Sequence, residues 1–430
     1  MVKALLWTSV CLVATVACVL PGCGGSSGDK GTTADAGGSS GGGSGGSSGS
    51  SGGSGSSSGS GSGSSSGGSS GGSSGGTSSD GGIPTMAGNP NGSCSAGVPS
   101  NGKPVDTSSP TTVVGSGTSA SCTFSALEAA VTTGGIVTFD CGSAPVTIPV
   151  TATLNVPTTK DTVIDGGNKI TLDGGHAVQI LSYNSPGWQT GTFTLTLQHL
   201  TLVNAKTTPT QAIPVAPAPC SQGWDDGQGG AVYMRDGSLV VIDSIFSNNE
   251  AAMLGPDTGG GAIYVQGSKS GVLVVSSTFT NNTASNAGAI GGLYAELDIY
   301  DSLFTGNTGA GNGANNNDPT KCSAMNNGQN EIGSGGNGGA LYSDGDSVNV
   351  VLCGDEIDDN AAGVNAFGGG LFFTSDNMAG TLTITDTTMM GNTGGHWTNV
   401  STGSVTNVGT AVGVNAKSIT VTNSMLQGYP

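Results

Sequence analysis

The stretch Gly260–Ala284, which reads GGAIYVQGSKSGVLVVSSTFTNNTA, contains the two motifs that decide the fold. Its second half holds an eight-residue unit, Val272–Phe279, with aliphatic residues at positions one and three and a large apolar residue at position eight. Such alternation is typical of a strand with one buried face, and the polar pair at positions five and six is expected to turn the chain. An asparagine, Asn282, follows three residues after the unit.

The same eight-residue unit occurs seven times without gaps, and five copies are followed by the same asparagine. The copies are Leu195–Leu202, Leu239–Phe246, Val272–Phe279, Leu297–Phe304, Val350–Ile357, Leu382–Met389 and Ile419–Leu426. The asparagines are Asn249, Asn282, Asn307, Asn360 and Asn392. Asparagine tolerates left-handed backbone geometry at turns, and stacked asparagine side chains can hydrogen-bond to one another. We therefore predict a structural asparagine ladder along the stacked repeats.

A second motif, Gly-Gly-small-aliphatic-aromatic, precedes the unit. Its copies are Gly229–Tyr233, Gly260–Tyr264, Gly338–Tyr342 and Gly368–Phe372, with a shorter copy at Gly291–Tyr294 aligned so that Gly292 corresponds to Ala231. The shared last position predicts an aromatic stripe of Tyr233, Tyr264, Tyr294, Tyr342 and Phe372. Such a stripe either stacks on sugars as a ligand site or stacks on itself and stabilises a sheet, and the second interpretation is favoured.

A unit of two or three short strands cannot bury its own apolar face, whereas stacked copies can. Most units are separated by about 30 residues. Helical solenoids need a 3.6-residue pattern that is absent, and propeller blades need about four strands in roughly 40 residues. The sequence therefore predicts an all-β parallel β-helix over residues 121–430. A short amphipathic helix at Ser121–Val131 is expected to cover the open edge of its first coil.

The chain before residue 121 has a different organisation. Residues 1–22 contain Lys3 and a long apolar run, the pattern of a secretory signal peptide. Residues 23–82 are dominated by Gly and Ser, cannot bury enough apolar area to fold, and are predicted to form a disordered, flexible tether. Residues 83–120 are predicted to be an irregular lead-in.

The stretch Leu20-Pro21-Gly22-Cys23 resembles a bacterial lipobox, in which the cysteine is lipidated and becomes the mature N-terminus. The resemblance implies an exported lipoprotein that is held in the cell outer membrane by a lipid on Cys23. The protein would be surface-exposed or face the periplasm. A poorer second candidate is Cys18, and ordinary signal-peptidase cleavage, which leaves Cys23 free, is the alternative.

Cysteine usage and charge narrow the function classes. The formal net charge is −18 and Arg235 is the single arginine, which excludes nucleic acid as a partner.

An even number of cysteines beyond Cys23 favours disulfides in an exported protein, and the pair Cys122–Cys141 is the first choice. The disulfide candidates are Cys94, Cys122, Cys141, Cys220, Cys322 and Cys353.

The repeats carry a family resemblance. GGAVY followed by FSNNEA (Phe246–Ala251) resembles the repeats of polymorphic outer-membrane proteins. The region Ser121–Gly175, with TVIDGG at Thr162–Gly167, is similar to the opening of right-handed β-helix surface proteins with pectin-lyase-like folds. The resemblance implies a right-handed β-helix with an adhesive, structural or ligand-binding role, and a polysaccharide or another surface protein as partner.

The pectin-lyase-like fold also implies an alternative function, that of a cell-surface polysaccharide lyase or glycoside hydrolase. A hydrolase needs two carboxylates, for which Asp225–Asp226 and Asp358–Asp359 are the adjacent pairs, and a lyase needs a base such as Arg235 or Lys269. Each of these fits a solvated loop or turn better, and His396 lies in no matching motif. We therefore predict no catalytic residue, no cofactor and a non-enzymatic role.

The densest acidic cluster comprises Asp355, Glu356, Asp358 and Asp359. Calcium prefers several such oxygens, yet the run lacks the EF-hand and nonapeptide calcium patterns. It is a candidate calcium site, with a solvated turn as the favoured interpretation. Convergence of this run with Asp225 and Asp226 in one groove would favour an enzyme.

Overall fold

The computed structural model describes residues 83–210, 226–255, 258–311, 335–363, 366–375, 377–394, 406–408 and 412–428. The predicted signal peptide and tether, including Cys23, lie outside the described residues, as do Cys220, Cys322, Asp225 and His396. The described chain is a right-handed parallel β-helix with a short N-terminal helix, which confirms the predicted fold class.

The largest sheet, sheet A, has 17 strands, and successive coils of the chain stack in it in parallel. Each regular coil contributes two strands that are separated by the predicted polar pair. The strands are β1 (Thr112–Gly115), β2 (Gly135–Asp140), β3 (Val146–Pro149), β5 (Thr162–Asp173), β7 (Thr194–Val203), β9 (Ser238–Ile242), β10 (Ile245–Ser247), β12 (Val272–Val275), β13 (Thr278–Thr280), β16 (Leu297–Tyr300), β17 (Leu303–Thr305), β20 (Val350–Cys353), β21 (Glu356–Asp358), β23 (Thr381–Thr385), β24 (Thr388–Met389), β27 (Ser418–Thr422) and β28 (Met425–Leu426).

The Gly-Gly motif leads into sheet B, which has nine strands. They are β4 (Leu154–Asn155), β6 (Leu181–Asn184), β8 (Val232–Arg235), β11 (Ile263–Gln266), β15 (Ile290–Leu293), β19 (Leu341–Gly345), β22 (Leu371–Ser375), β25 (Thr406–Val408) and β26 (Val412–Asn415). Strand β25 pairs antiparallel with β26, and the other strands of this sheet pair in parallel. A third, two-stranded sheet contains β14 (Thr283–Ala284) and β18 (Thr308–Gly309).

The core lies inside the coils and is built from positions one, three and eight of the repeated unit. In the coil of β16 and β17 these positions are Leu297, Ile299 and Phe304, and all three are fully buried. The ring of Phe279 stacks on Phe246 at 4.8 Å and on Phe304 at 4.7 Å. Because a slip of one residue would turn these side chains to the outer face, their burial fixes the register of the coils.

The asparagine ladder lies at the corner that follows β10, β13, β17, β21 and β24. The Nδ2 of each asparagine except the last donates to the Oδ1 of the next, with distances of 2.9, 2.9, 2.9 and 3.0 Å along the series from Asn249 to Asn392. The positive φ that we expected at these asparagines lies one residue earlier, as at Asn281 with φ of 55°. The ladder residues thus act through their side chains, and their neighbours make the turn.

A second column of polar side chains lies at the corner between the two strands of sheet A. We call it the hydroxyl column, and its members are Ser244, Ser277, Ser302, Asp355, Thr387 and Ser424. Ser277 is representative, because its Oγ donates to the carbonyl of Val275 at 2.9 Å and accepts the amide of Ser244 at 3.2 Å. The sequence pattern predicted the turn but not this column.

The two glycines of the Gly-Gly motif meet different requirements. Gly260 has a φ of 67°, in the left-handed region that favours glycine. A Cβ on Gly261 would collide with the carbonyl oxygen of Gly288 in the next coil, which leaves no space for a side chain. One glycine is therefore needed for its backbone conformation and the other for close approach of the coils.

The N-terminal cap is the helix α1 (Phe124–Thr133), which contacts β1 and β4. Thr123 is its N-cap, and its side chain accepts a hydrogen bond from the Ala126 amide at 3.3 Å. The predicted start of the β-helix at residue 121 is too late, since β1 lies in the predicted lead-in and pairs in parallel with β2. Short 3-10 turns occur at Ser100–Gly102 and Ser119–Ser121.

The rest of the lead-in runs along the outside of sheet A, and we call residues 86–111 the strap. The Asn89 amide donates to the carbonyl of Asp301 at 2.8 Å, and the Ser95 amide donates to the carboxylate of Asp386 at 2.8 Å. The chain then returns towards α1, where the Thr107 hydroxyl donates to Asp165 at 2.7 Å. The strap therefore crosses several coils instead of leading directly into the first one.

Two disulfides are present in the described chain. Cys122–Cys141, the predicted pair, is confirmed and joins the start of α1 to the end of β2. Cys94–Cys353 joins the strap to the end of β20 across 259 residues of sequence. Val98 of the strap packs on an apolar cluster of Ile242, Leu273 and Val275 on the outer face of sheet A. The disulfide and these apolar contacts together hold the strap against sheet A.

Candidate functional site

The register of sheet B corrects the predicted aromatic stripe. Tyr264 pairs with Tyr233 on one side and with Gly291 on the other, and Gly291 pairs in turn with Tyr342. The prediction that Tyr294 shares this position is therefore wrong. Tyr294 follows the end of β15 and has a φ of 52°. Alignment of the shorter motif on its glycines had shifted this copy away from the register that the stacked coils impose.

Most of the stripe is closed to ligands. Tyr264, Tyr342 and Phe372 are buried, and the rings of Tyr342 and Phe372 stack at 5.5 Å. The Tyr342 hydroxyl donates to Asp344 at 2.6 Å. These contacts favour the structural interpretation for this part of the stripe. Tyr233, by contrast, is half-buried and lies in a groove.

This groove, which we call the sheet B groove, lies on the outer face of the first coils and has a volume of about 510 Å³. Ser182 and Asn184 of β6 and Tyr233 of β8 line it. They face outward because their strand neighbours Leu181 and Tyr183 are buried in the core, and side chains alternate along a strand. The groove is therefore lined by hydroxyl and amide groups that the strand pattern itself presents.

Gln179 fastens one wall of the groove. Its Nε2 donates to the carbonyl of Gly229 at 2.6 Å and to that of Gln228 at 3.0 Å, and it lies 3.1 Å from the Thr207 hydroxyl oxygen. The Thr207 hydroxyl donates to the same Gly229 carbonyl at 2.6 Å. These bonds hold the wall in position without a regular secondary-structure element.

The described lining of the groove contains two charged residues, Lys206 and Asp226. Lys206 pairs with Glu250 at 2.6 Å, and the Asp226 carboxylate accepts the amide and the hydroxyl of Thr210 at 2.5 and 2.9 Å. A glycoside hydrolase needs two carboxyl groups about 5–9.5 Å apart. Asp226 is the carboxylate in the described lining, and the 355–359 run does not line this groove.

The acidic run 355–359 has structural contacts instead. Asp355 is buried in the hydroxyl column, where it accepts the amides of Ser302 and Cys353 at 2.8 and 2.9 Å. Burial raises the pKa of the Asp355 carboxyl well above its ordinary value. Burial likewise raises the pKa of Asp358 to about 6, against a hydrogen bond from the Met390 amide that lowers it.

The other members of the run bind neighbouring segments. Glu356 accepts a hydrogen bond from the Asn91 amide group of the strap at 2.8 Å, and Asp359 has a φ of 58° at the turn before Asn360. Within the described ranges, no group of three His, Cys, Asp or Glu side chains is arranged to hold a metal ion. The candidate calcium site is therefore not assembled by these residues.

The two candidate bases lie outside the lining of the groove. Arg235 ends β8 on the outer face of sheet B, and its guanidinium carbon lies 5.8 Å from the ring centroid of Trp188. Lys269 is exposed in the turn between β11 and β12. Gln179, Thr207 and Trp188 were not predicted as site residues, because they lie in segments that occur once and share no repeat position.

No protein-family model matches this chain, and comparisons with characterised proteins and with solved structures also found no match. Among the residues that the structure describes, no helix combines the length and the apolar character that a membrane span requires.

Proposed function

We propose that the chain is a lipoprotein of the cell outer membrane whose β-helix body has a non-enzymatic role in adhesion or ligand binding at the outer envelope. The lipid would be carried by Cys23, and residues 23–82 would act as the tether. The partner would be a polysaccharide or another surface protein that binds the sheet B groove.

The strap is the observation that carries this proposal. It begins a few residues after the predicted tether and is joined to β20 by the disulfide Cys94–Cys353. A pull on the tether would therefore reach the β-helix through Cys353, far along sheet A, and not by peeling the first coil away. Such an attachment suits a body that is displayed on a tether and loaded by a bound partner.

Membrane partition tests the anchor. The full-length chain is expressed in a Gram-negative host, and cell fractions are probed for the protein. We expect the wild type in the membrane fraction and the Cys23→Ala variant in the soluble fractions. The Cys18→Ala variant is the matched control, because it removes the poorer lipobox candidate, and it should stay with the membranes. A Cys23→Ala protein that still partitions with membranes would contradict the proposal.

A second measurement separates adhesion from catalysis. The purified protein is incubated with a panel of acidic and neutral polysaccharides, and soluble products are analysed. We expect no product release. Release that is lost in the Asp226→Ala variant would establish the lyase or hydrolase alternative and overturn the non-enzymatic role.

A further inference from the structure

We propose that Arg235, Trp188 and Tyr294 form a binding site for an oxyanion carried on a sugar ring, next to the sheet B groove. The inference rests on the proposed ligand-binding role and names the ligand chemistry of that surface. The oxyanion is either the carboxylate of a sugar acid or the phosphate of a sugar phosphate, because a guanidinium group binds both.

Arg235 is unusual in this chain. It is the single arginine in a protein with a formal net charge of −18. The ion pairs of the described chain involve His199 and Lys206, so that Arg235 has no carboxylate partner among the described residues. Its Nε is buried and makes no hydrogen bond. A buried donor without a partner is costly, and a bound oxyanion would supply the missing acceptor.

Trp188 is held next to Arg235 by an anchored loop, residues 185–191. The buried carboxylate of Asp236 accepts the amides of Thr190 and Gly191 at 2.8 and 2.6 Å. Burial raises the pKa of Asp236, but these hydrogen bonds outweigh it and lower the pKa below its ordinary value. Although its loop is fixed, Trp188 is 41% exposed. The loop therefore holds the Trp188 ring at the surface, where a ligand can reach it.

The aromatic rings and the groove complete the site. The rings of Trp188 and Tyr294 are 5.8 Å apart and inclined at 61°, so that they form a corner beside the guanidinium group. Aromatic faces next to a polar edge suit the apolar face of a sugar ring. Arg235 also pairs in register with Asn184, which lines the sheet B groove. The hydroxyl and amide groups of the groove can hydrogen-bond to further sugar hydroxyls.

Three probes with the same ring test the inference by isothermal titration calorimetry on the purified full-length chain. They are glucuronate, glucose 6-phosphate and glucose, which carry a carboxylate, a phosphate or a hydroxyl at the same carbon. We expect at least one anionic probe to bind about tenfold or more tightly than glucose. The preferred anion then identifies the source. Binding should also weaken as ionic strength rises.

Arg235→Met keeps most of the apolar stem and removes the charge, and it should reduce anion affinity by about tenfold or more. Lys269→Met is the matched control, since it removes one charge from an exposed position on a neighbouring turn, and it should change affinity less than about twofold. Thermal unfolding of each variant checks that the fold is intact. Trp188→Ala should weaken binding of the anionic probe as well.

Equal affinity for glucose, no binding of either anion, or an Arg235→Met protein that binds like the wild type would each overturn the site. The proposed function fails by different results, which are membrane partition of Cys23→Ala or product release from polysaccharides. A protein that is anchored and non-enzymatic but ignores all three probes would therefore refute the site alone.

Discussion

The asparagine ladder and the aromatic stripe are both columns of repeated side chains, yet only the ladder is continuous. The ladder runs unbroken from Asn249 to Asn392, whereas the stripe is interrupted at Gly291 between Tyr264 and Tyr342. The difference lies in what each side chain needs from its neighbours in the adjacent coils.

A ladder asparagine is satisfied by the next asparagine, and its own Oδ1 satisfies the one before. Asn282, for example, donates to Asn307 and accepts from Asn249, both at 2.9 Å. A different residue in any coil would leave buried polar groups without partners on both sides. The stripe needs only filled volume, and the ring of Tyr264 fills the space above Gly291. Reciprocal hydrogen bonds therefore impose identity, while packing imposes only volume.

The largest expected effect comes from breaking the ladder at its centre with Asn307→Ala. The Oδ1 of Asn307 accepts the amide and Nδ2 of Asn282 at 3.1 and 2.9 Å, and its Nδ2 donates to Asn360 and to the carbonyl of Phe279 at 2.9 and 3.0 Å. Because each stranded buried group costs about 1–3 kcal/mol, the free energy of unfolding should fall by about 3–5 kcal/mol, measured by urea denaturation.

The control for this variant is the neighbouring position. Asn281 is exposed and has a φ of 55°, so Asn281→Gly keeps the backbone conformation and should change stability by less than about 0.5 kcal/mol. If Asn307→Ala costs no more than Asn281→Gly, the identity of the ladder residues does not come from their hydrogen bonds.

The sequence was sufficient to predict the coils, but it was not sufficient to predict the strap and the groove on their outer faces. The strands and the ladder could be predicted because their apolar and asparagine positions repeat from coil to coil. The Cys122–Cys141 bridge could be predicted because its two cysteines lie close together in the sequence. Tyr294 was misplaced because glycine is required both for left-handed turns and for close approach, so that a glycine pair alone does not define register. The strap and the sheet B groove could not be predicted, since residues such as Gln179 and Thr207 contact segments of other coils from positions that belong to no repeated pattern.

An intermediate effect is expected from restoring the interrupted stripe with Gly291→Tyr. From the repeat pattern alone, this substitution would be expected to stabilise the protein, because the adjacent coils carry tyrosine at the paired positions. A Cβ at position 291 would, however, lie 2.7 Å from Cδ2 of Tyr264, whose ring is buried and cannot swing aside. We expect overpacking to lower the free energy of unfolding by about 2 kcal/mol. A variant as stable as the wild type would show that the gap in the stripe is incidental.

The smallest effect concerns Asp355, the one carboxylate in the hydroxyl column. Its pKa is raised by burial, so its contribution to stability is fully present below the ordinary value of 3.8 and is lost as pH rises through the raised pKa. Burial and the charge of Glu296 raise the pKa of Asp298 to about 6, so the contribution of Asp298 to stability is also lost as pH rises. The contributions of Asp355 and Asp298 to the free energy of unfolding should therefore decrease from about pH 4 upwards.

Replacement of Asp355 by the residue that its column uses elsewhere, Asp355→Ser, should remove part of this pH dependence. The variant removes the cost of ionising a buried carboxyl, and the lost amide bonds of the carboxylate offset part of the gain, so we expect higher stability than the wild type near pH 8 and little change near pH 4. Urea denaturation at both pH values measures the difference, with Asp355→Asn as a control of similar shape. An unchanged pH dependence in both variants would mean that the Asp355 carboxyl has the same pKa in the folded and unfolded states, and it would contradict the raised pKa that burial in this column implies.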